Sequence, residues 1–312
     1  MAFTKDARGY HSGNFILVMD DQFSPDWIFG YEGGHGQGEI VEEKMGPDSV
    51  IHKHVSGIKY EDISVTLGTS VSKPFMDWIK VSFGSGGTSE YLRKGGALVA
   101  LDPNYLEITR LEFANGLITE LNLPALDAAS KEGAKLGIKI SPEYTRLKKG
   151  DGSGKYQPAT NQKAQKQWTA ANFRVSIPGL DCTRVSKVEA LNFKKEVAEV
   201  PLGDMRDPYR EPVRTRYSNF VLTMPESHAD TFHDWYEDFV IKGNCGAEKE
   251  KDHCIVEYLH TDLKSVVATV TGKQMGIFKY TPDKSDSNAQ GIRSVKVEMY
   301  CETMEAEFAN TK

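Results

Sequence analysis

Cysteine is scarce in this sequence, and the first half of the chain has none. Of the 312 residues only four are cysteines, which are Cys182, Cys245, Cys254 and Cys301. A disulfide framework shared by both halves is therefore excluded. In a reducing compartment the thiols are expected to be free and partly buried. The closeness in sequence of Cys245, His253 and Cys254 leaves a zinc site or a disulfide across that loop as alternatives.

Long apolar runs are absent as well. No stretch of about 18 consecutive apolar residues occurs, so no membrane-spanning helix is expected. Residues 1–13 lack the apolar segment of a secretory signal peptide, so we expect the chain to reside in the cytoplasm. The net charge of -6 argues against an open nucleic-acid-binding face, and no sequence-specific nucleic acid partner is expected. The basic residues Lys148, Lys149 and Lys155 are interpreted as part of a solvated linker.

Motifs that bind phosphates, metals or substrates are missing too. The glycine clusters at 33–38 and 84–87 are not followed by Lys-Ser or Lys-Thr, as a phosphate-binding loop would be. His52 and His54 share one face if they lie on a strand, but two histidines make a weak metal site. Adjacent acidic residues on a strand point to opposite faces and do not converge on a substrate. No catalytic residue, cofactor or metal is therefore expected.

What the sequence does contain is a loose internal repeat. Three anchors recur 157 or 158 positions later: Asn14-Phe15 as Asn172-Phe173, Lys59-Tyr60 as Arg216-Tyr217, and Asp77-Trp78 as Asp234-Trp235. A tandem duplication of one domain of about 150 residues, which is an ordinary domain size, explains the offset. The predicted organisation is a first domain at 1–147 with a flexible arm at 1–13, a polar linker at 148–168, and a second domain at 169–312.

Alternating apolar residues predict a mainly β structure for both repeats. Each repeat is expected to form an antiparallel β-sandwich or barrel with one flanking helix. Residues 60–67 are predicted as one strand, and residues 33–57 as a long hairpin or loop. Asn115-Gly116 and Thr271-Gly272 are predicted as turns between separate strands.

The predicted helices carry an aromatic face in each repeat. In the first repeat Phe75, Trp78, Ile79 and Phe83 recur with helical spacing, which predicts one apolar face packed on the sheet. The second repeat shows the same pattern after residues 227–230, which resemble a capping box.

The ordered set of these features resembles the tail tube protein family of contractile phages and contractile injection systems. The residues that carry the resemblance in the first repeat are Asn14-Phe15, Glu32-Gly33-Gly34, Gly46-Pro47, Lys59-Tyr60, Asp77-Trp78 and Leu123-Pro124-Ala125. In the second repeat they are Asn172-Phe173, Leu180-Asp181, Arg216-Tyr217, Asp234-Trp235 and Thr281-Pro282. The resemblance covers most of the chain, whereas most family members have a single domain.

The resemblance implies a structural protein without catalysis. Six such domains form a ring, and the rings stack into a tube inside a contractile sheath. This chain would form a trimer with pseudo-sixfold symmetry or a hexamer, with adjacent rings, sheath, baseplate or cap proteins as partners. It would be a tube subunit, a baseplate-proximal initiator or an adaptor at the tube end. Assembly is expected in the bacterial cytoplasm, before incorporation into a phage tail or injection particle.

Two groups of residues follow from this interpretation. The hairpin at 34–57 and its base are predicted to contact the neighbouring ring, through Glu32, Gly33, Gly34, Gly46, Pro47, Lys59 and Tyr60. The core shared by the repeats is predicted to include Phe15, Trp78, Phe173 and Trp235. Two other classes stay open, namely a two-domain β-sandwich that binds a carbohydrate or another ligand, and a hydrolase.

Overall fold

Strands dominate the computed structural model of the chain. It describes residues 13–19, 26–44, 46, 50–68, 72–83, 93–152, 156, 168–201, 203, 207–283 and 292–308. Within these ranges no helix is long and apolar enough to cross a membrane. The expected fold class is confirmed, because each repeat is an antiparallel β domain with a helix beside it.

The elements follow a similar order in both repeats, with ten strands described in the first and eight in the second. The strands of the first are β1 (Asn14–Met19), β2 (Asp26–Gly33), β3 (Gly36–Glu43), β4 (His52–Tyr60), β5 (Ile63–Leu67), β6 (Lys94–Leu101), β7 (Glu107–Leu123), β8 (Leu126–Asp127), β9 (Leu136–Ser141) and β10 (Tyr144–Lys149). The strands of the second are β11 (Trp168–Ser176), β12 (Lys187–Val188), β13 (Leu191–Val200), β14 (Tyr209–Tyr217), β15 (Phe220–Pro225), β16 (Lys251–His260), β17 (Val266–Pro282) and β18 (Ser294–Phe308). The helices are α1 (Lys73–Phe83) and α2 (Asp230–Tyr236), and α2 continues as a π-helical turn over Glu237–Ile241.

The first repeat closes into a barrel. Its strands pair in the order β7-β6-β1-β2-β5-β9, and β9 pairs back to the second half of β7. Alternation explains which face is inside: in β5 Ile63, Val65 and Leu67 are buried, whereas Ser64 and Thr66 are half-exposed. Closure covers both edges of the strands β6, β1, β2 and β5, so these strands offer no open edge to another chain.

The second repeat needs a segment of the first to complete its sheet. Its strands pair in the order β11-β16-β17-β18-β15-β12, and β12 then pairs with β8 of the first repeat. An isolated bridge from Gly133 to Thr169 and a hydrogen bond from the Ala170 amide to the Glu132 carbonyl connect the same segment to β11. Residues of the first repeat thus lie between β11 and β12.

Each helix buries an aromatic face. In α1 Phe75 and Trp78 are buried, and their rings meet edge to face with centroids 5.7 Å apart. In α2 Trp235 is buried and its indole N–H donates a hydrogen bond to the Lys249 carbonyl at 3.2 Å. The apolar core is continuous between the two repeats.

Three local predictions were wrong. The expected turns at 115–116 and 271–272 lie inside single long strands, where Asn115 and Gln274 adopt positive φ angles of 49° and 54° and kink β7 and β17. The expected strand at 60–67 is broken at Glu61 and Asp62, which separate β4 from β5.

The expected capping box does not form either. Ser227 lies in a short 3-10 turn and contacts the neighbouring His228 ring. Ala229, which has no side-chain acceptor, occupies the N-cap position of α2.

Shifts in the strand pairing recur at corresponding places in both repeats, and they show how the two repeats align. The β3–β4 pairing shifts between Glu39 and Ile40, and the β13–β14 pairing shifts 157 residues later, between Glu196 and Val197. A second shift recurs with an offset of 159 residues. It lies between Ile118 and Glu120 in the β7–β9 pairing, and at Ile277 and Lys279 in the β17–β18 pairing. Bulges are specific backbone features, so these offsets define which residues are equivalent.

Candidate assembly interface

Each repeat carries one long hairpin, and the two hairpins have different surroundings. We call β13–β14 the docked hairpin, because β13 joins the sheet of the first repeat by pairing with β7. We call β3–β4 the free hairpin, because its two strands form a separate sheet. The candidate interface is the part of the hairpin that is covered in the docked hairpin and exposed in the free hairpin.

A polar ladder marks the strand pairing of the docked hairpin. Asn192 lies opposite Asn122, and their side-chain amides are hydrogen-bonded. The same Asn192 amide donates to a Glu120 carboxylate oxygen at 2.8 Å, and Lys139 lies 3.3 Å from the other oxygen. Burial raises the pKa of Glu120, but the hydrogen bonds from both asparagines and the charge of Lys139 outweigh it and hold that pKa below its usual range.

A buried arginine anchors the distal part of the docked hairpin. Arg210, on β14, is only 4% exposed. Its guanidinium donates hydrogen bonds to the Tyr60 carbonyl at 3.0 Å and to the Ser141 hydroxyl, and pairs with Asp62 at 3.1 Å. It also pairs with Glu199 on the neighbouring strand at 3.2 Å. One planar cation therefore joins the docked hairpin to two segments of the first repeat, residues 60–62 and Ser141.

Arg93 reaches the same hairpin from the first repeat. Its guanidinium lies 4.5 Å from the centroid of the Tyr209 ring and 3.0 Å from the Glu211 carboxylate. It also donates a hydrogen bond to the Arg210 carbonyl at 2.8 Å. Arg93 of the first repeat and Arg210 of the second therefore both attach β14 to the first repeat.

Apolar contacts complete the attachment near the base of the docked hairpin. Phe193 is fully buried, and its ring centroid lies 5.6 Å from that of Phe83 at the end of α1. Lys195 donates a hydrogen bond to the Ser82 carbonyl, and burial lowers the pKa of its ammonium group. The helix of the first repeat thus packs against a strand of the second.

The free hairpin exposes the apolar residues whose equivalents are half-buried in the docked one. Ile40 and Val55 are 66% and 62% exposed. Their equivalents 157 residues later, Val197 and Pro212, are half-buried. The free hairpin therefore has the pattern of an interface strand without the surface that would cover it.

Most residues of the predicted interface lie at the two ends of the free hairpin. Gly33 and Gly34 form its entry with positive φ angles of 83° and 80°, and Glu32 is exposed beside them. Gly46, with a φ of 83°, lies beyond the end of β3. Pro47 lies outside the described residues.

The remaining two predicted interface residues lie at the exit of the hairpin and point to different environments. Lys59 is exposed, whereas Tyr60 is buried and its hydroxyl accepts a hydrogen bond from Arg146 at 2.6 Å. The role of the predicted set between rings stays a prediction.

The four residues of the predicted repeat core are buried to different extents. Trp78 and Trp235 are buried under their helices. Phe15 and Phe173 are half-buried and pack against the edge of the core, and Phe15 meets Tyr31 edge to face at 5.3 Å.

The cysteines do not form disulfides among the described residues. All four are free; Cys254 is buried and Cys245 is exposed. Burial raises the pKa of Cys182 and of Cys301 to about 11, so both thiols stay protonated near neutral pH. No cluster of metal-ligating side chains occurs in the part of the chain that the structure describes.

Sequence reasoning missed the residues that make the interface, above all Arg210, Asn192 and Arg93. Their chemical types are ordinary for a surface. A signal was present in the alignment of the repeats, because the acidic and basic pair Glu42 and Lys53 returns as Glu199 and Arg210 at the same offset of 157 residues.

Glu120→Gln is expected to lower the free energy of unfolding by about 1 kcal/mol at neutral pH, since the variant loses the charge that Lys139 and the two asparagines stabilise. The pKa of Glu120 in the folded state lies below its usual range, so this stabilisation is present above about pH 4.5 and disappears as the pH falls further. Urea unfolding of both proteins between pH 7 and 3 checks this. Glu305→Gln, which removes a more exposed pair with Lys273, serves as the control and should cost less. An equal cost at every pH would contradict the assignment.

Comparison with known proteins gives one family. Residues 169–305 match the family model of the T4-like virus tail tube protein gp19. No curated protein sequence matches the chain. The resemblance to tail tube proteins is therefore confirmed, with the match lying on the second repeat.

Several solved structures are similar to part of this chain. The tube-terminating cap of the anti-feeding prophage is 14% identical, covering 48% of this chain and 97% of that chain, with a TM-score of 0.41. The sheath-tube complex of an extracellular contractile injection system is 15% identical, covering 47% of this chain and 99% of that one, with a TM-score of 0.40. Hcp2 from Salmonella typhimurium is 12% identical, covering 44% and 84%, with a TM-score of 0.25. At these scores the assignment rests on the family match.

Proposed function

We propose that this protein is a structural component of a contractile phage tail or contractile injection system, in which it forms a ring of, or on, the inner tube. The observation that carries the proposal is the match of the second repeat to the tail tube family, together with the repetition of a similar element order in the first. A chain of this kind has a role in assembly and no catalytic one.

The contact between the repeats supports a ring in particular. A head-to-tail contact between similar units forms a ring if the rotation closes. The docked hairpin makes such a contact within one chain, because the hairpin of the second repeat occupies the sheet of the first. Three chains, each with two such units, would form a trimer with pseudo-sixfold symmetry. A hexamer of chains is the other arrangement that suits a tube with sixfold symmetry.

The position in the particle is part of the proposal. A tube subunit, a baseplate-proximal initiator and an adaptor at the tube end all require a ring that contacts further rings. The exposed distal residues of the free hairpin, among them Val50 and Ile51, are proposed to face such a neighbour. Adjacent tube rings, sheath, baseplate and cap proteins are the proposed partners, and assembly is proposed to precede incorporation into the particle.

A ligand-binding module is the second candidate, because the junction of the repeats contains a cleft of about 610 Å³. Its lining is unfavourable for a sugar. The charged side chains there include Glu120 and Lys139, which pair with each other, and Arg210, which pairs with Asp62. Aromatic surfaces on which a sugar ring could stack are few, since Tyr60 is the aromatic residue of this lining.

Light scattering coupled to size-exclusion chromatography tests the proposal. The purified chain, between micromolar and millimolar concentrations, is expected to form closed oligomers or stacked rings that electron microscopy resolves. A monomer at every concentration, which also fails to associate with sheath and tube proteins, would overturn the proposal. Binding of a carbohydrate by such a monomer would favour the second candidate.

A further inference from the structure

From the docked hairpin we infer that the free hairpin pairs with a second copy of this chain, in the register that the docked hairpin uses within one chain. The acceptor is the second half of β17, on the side where β16 no longer pairs with it. This inference rests on the proposed function, because it names the partner through which the ring would close. It assigns a strand pairing between copies to particular residues.

The acceptor edge is the equivalent of the occupied one. In the first repeat, β7 pairs with β6 over its first half and with β13 at residues 120–123. In the second repeat, β17 pairs with β16 as far as Met275, and β18 covers its other side. Residues 279–282 are the equivalents of 120–123, and the structure shows no strand on that edge among the described residues. Lys279, Thr281 and Pro282 are exposed there.

The offsets of 157 residues for the hairpins and 159 residues for the long strands give the register expected between two chains from the register seen within one chain. Leu191, Asn192, Phe193 and Lys194 lie opposite Leu123, Asn122, Leu121 and Glu120. The equivalents on the free hairpin are Gly34, His35, Gly36 and Gln37. The equivalents on β17 are Pro282, Thr281, Tyr280 and Lys279. His35 is therefore expected to lie opposite Thr281, as Asn192 lies opposite Asn122.

Side-chain size supports this register. Within the chain the larger side chain comes from the hairpin, since Phe193 lies opposite Leu121. Between chains it would come from β17, because Tyr280 would lie opposite Gly36. The Tyr280 ring is already stacked on Tyr236 of α2, with centroids 5.8 Å apart. A residue without a side chain opposite Tyr280 allows the two backbones to approach.

The sign of the charge on the acceptor strand is reversed between the two contacts. Within the chain the acceptor strand presents Glu120 and the hairpin presents Lys194 opposite it. On β17 the equivalent residue is Lys279, which pairs with Glu298 at 2.7 Å, the reverse of the pair of Glu120 with Lys139. The free hairpin has no lysine at the matching position, where Gln37 stands, and carries Glu39 two residues further. Opposite charges thus lie directly opposite each other within the chain, and between chains Glu39 would be the diagonal neighbour of Lys279.

The contact between chains is expected to be weaker than the one within the chain. Three anchoring groups change at equivalent positions, and two of the changes are Asn219 for Asp62 and His54 for Glu211. Lys53 replaces Arg210, and a lysine cannot form the same planar fork. Association should therefore depend on concentration, whereas the docked hairpin stays in place.

Cross-linking between differently tagged chains tests the inference. One chain carries His35→Cys and the other carries Thr281→Cys, and both carry Cys245→Ser to remove the exposed thiol. Directly opposed residues of antiparallel strands have Cα atoms about 4.5–5.5 Å apart, which permits a disulfide. Mild oxidation of the mixture is expected to yield a mixed dimer at least tenfold above the amount given by His35→Cys with Lys264→Cys, which lies in the turn before β17.

A variant within one chain calibrates the chemistry. Asn122→Cys with Asn192→Cys places two thiols at the same register of the contact already present, and should form an intrachain disulfide under the same oxidation. If that disulfide forms and the chain assembles into rings, but the mixed dimer is absent, the inference is overturned and the proposed function stands. If the chain stays monomeric at every concentration, the inference is overturned, and the proposed function is overturned with it if the chain also fails to associate with sheath and tube proteins. A mixed dimer in a sample that forms rings supports both.

Discussion

Arg210→Ala is expected to lower the free energy of unfolding by about 3 kcal/mol, because a buried guanidinium with charged hydrogen bonds is removed. The substitution leaves the buried Tyr60 carbonyl and Ser141 hydroxyl without this donor. Asp62 and Glu199 are about four-tenths exposed, so water can solvate them, and the cost stays below that of two isolated buried charges. Urea unfolding followed by tryptophan fluorescence measures the change.

Lys53→Ala is the matched control, because Lys53 is the equivalent residue on the free hairpin. Its ammonium group pairs with Glu42, and both side chains are more than half exposed. The free energy of unfolding of the monomer should change by less than about 0.5 kcal/mol. Similar losses in the two variants would contradict the distinction between a docked and a free hairpin. Arg210→Lys, which keeps the charge and loses the planar fork, should fall between them.

Gly33→Ala is expected to cost about 3 kcal/mol, since a left-handed backbone strains any L-residue and the new methyl group meets a carbonyl. Gly33 has a φ of 83°, and a Cβ atom there would lie 2.1 Å from the Asp62 carbonyl oxygen. That oxygen belongs to the backbone between β4 and β5, which cannot move without disturbing the pairing of Gly33 with Ile63. The free hairpin begins just after Gly33, so its orientation should change with the backbone.

Gly46→Ala separates strain from collision. Gly46 has the same φ of 83°, but a Cβ atom there meets no other described residue within 4 Å. Its cost should be about 1 kcal/mol, which is the strain of the left-handed conformation alone. Thermal and urea unfolding of both variants give the difference. Equal costs would show that Asp62 yields to the methyl group, and retained ring assembly by Gly33→Ala would show that the free hairpin does not depend on this entry.

Local patterns predicted the elements that depend on local physics. Helix α1 was predicted because Phe75, Trp78, Ile79 and Phe83 recur with helical spacing, and all four are buried. The strand alternation around Val65 was predicted for the same kind of reason. The family resemblance also came from the order of such elements.

Predictions failed where the surroundings override a local preference. Asn115-Gly116 is a strong turn signal, yet β6 on one side and β9 and β10 on the other hold the chain as one long strand. The kink at Asn115 absorbs the turn preference as a positive φ angle. Arg210 was missed because burial of a surface-type residue depends on which distant segments surround it.

The sequence by itself determined that this chain is a tandem β protein, because repeated anchors and periodic apolar residues are properties of neighbouring positions. It also determined the likeness to tail tube proteins, which the family match on the second repeat confirms. Only the tertiary structure decided that the repeats share strands, with one hairpin docked on its neighbour and the other free. Such pairing depends on groups far apart in the chain, such as Asn192 with Asn122 and Arg210 with Asp62, and no local pattern encodes their meeting.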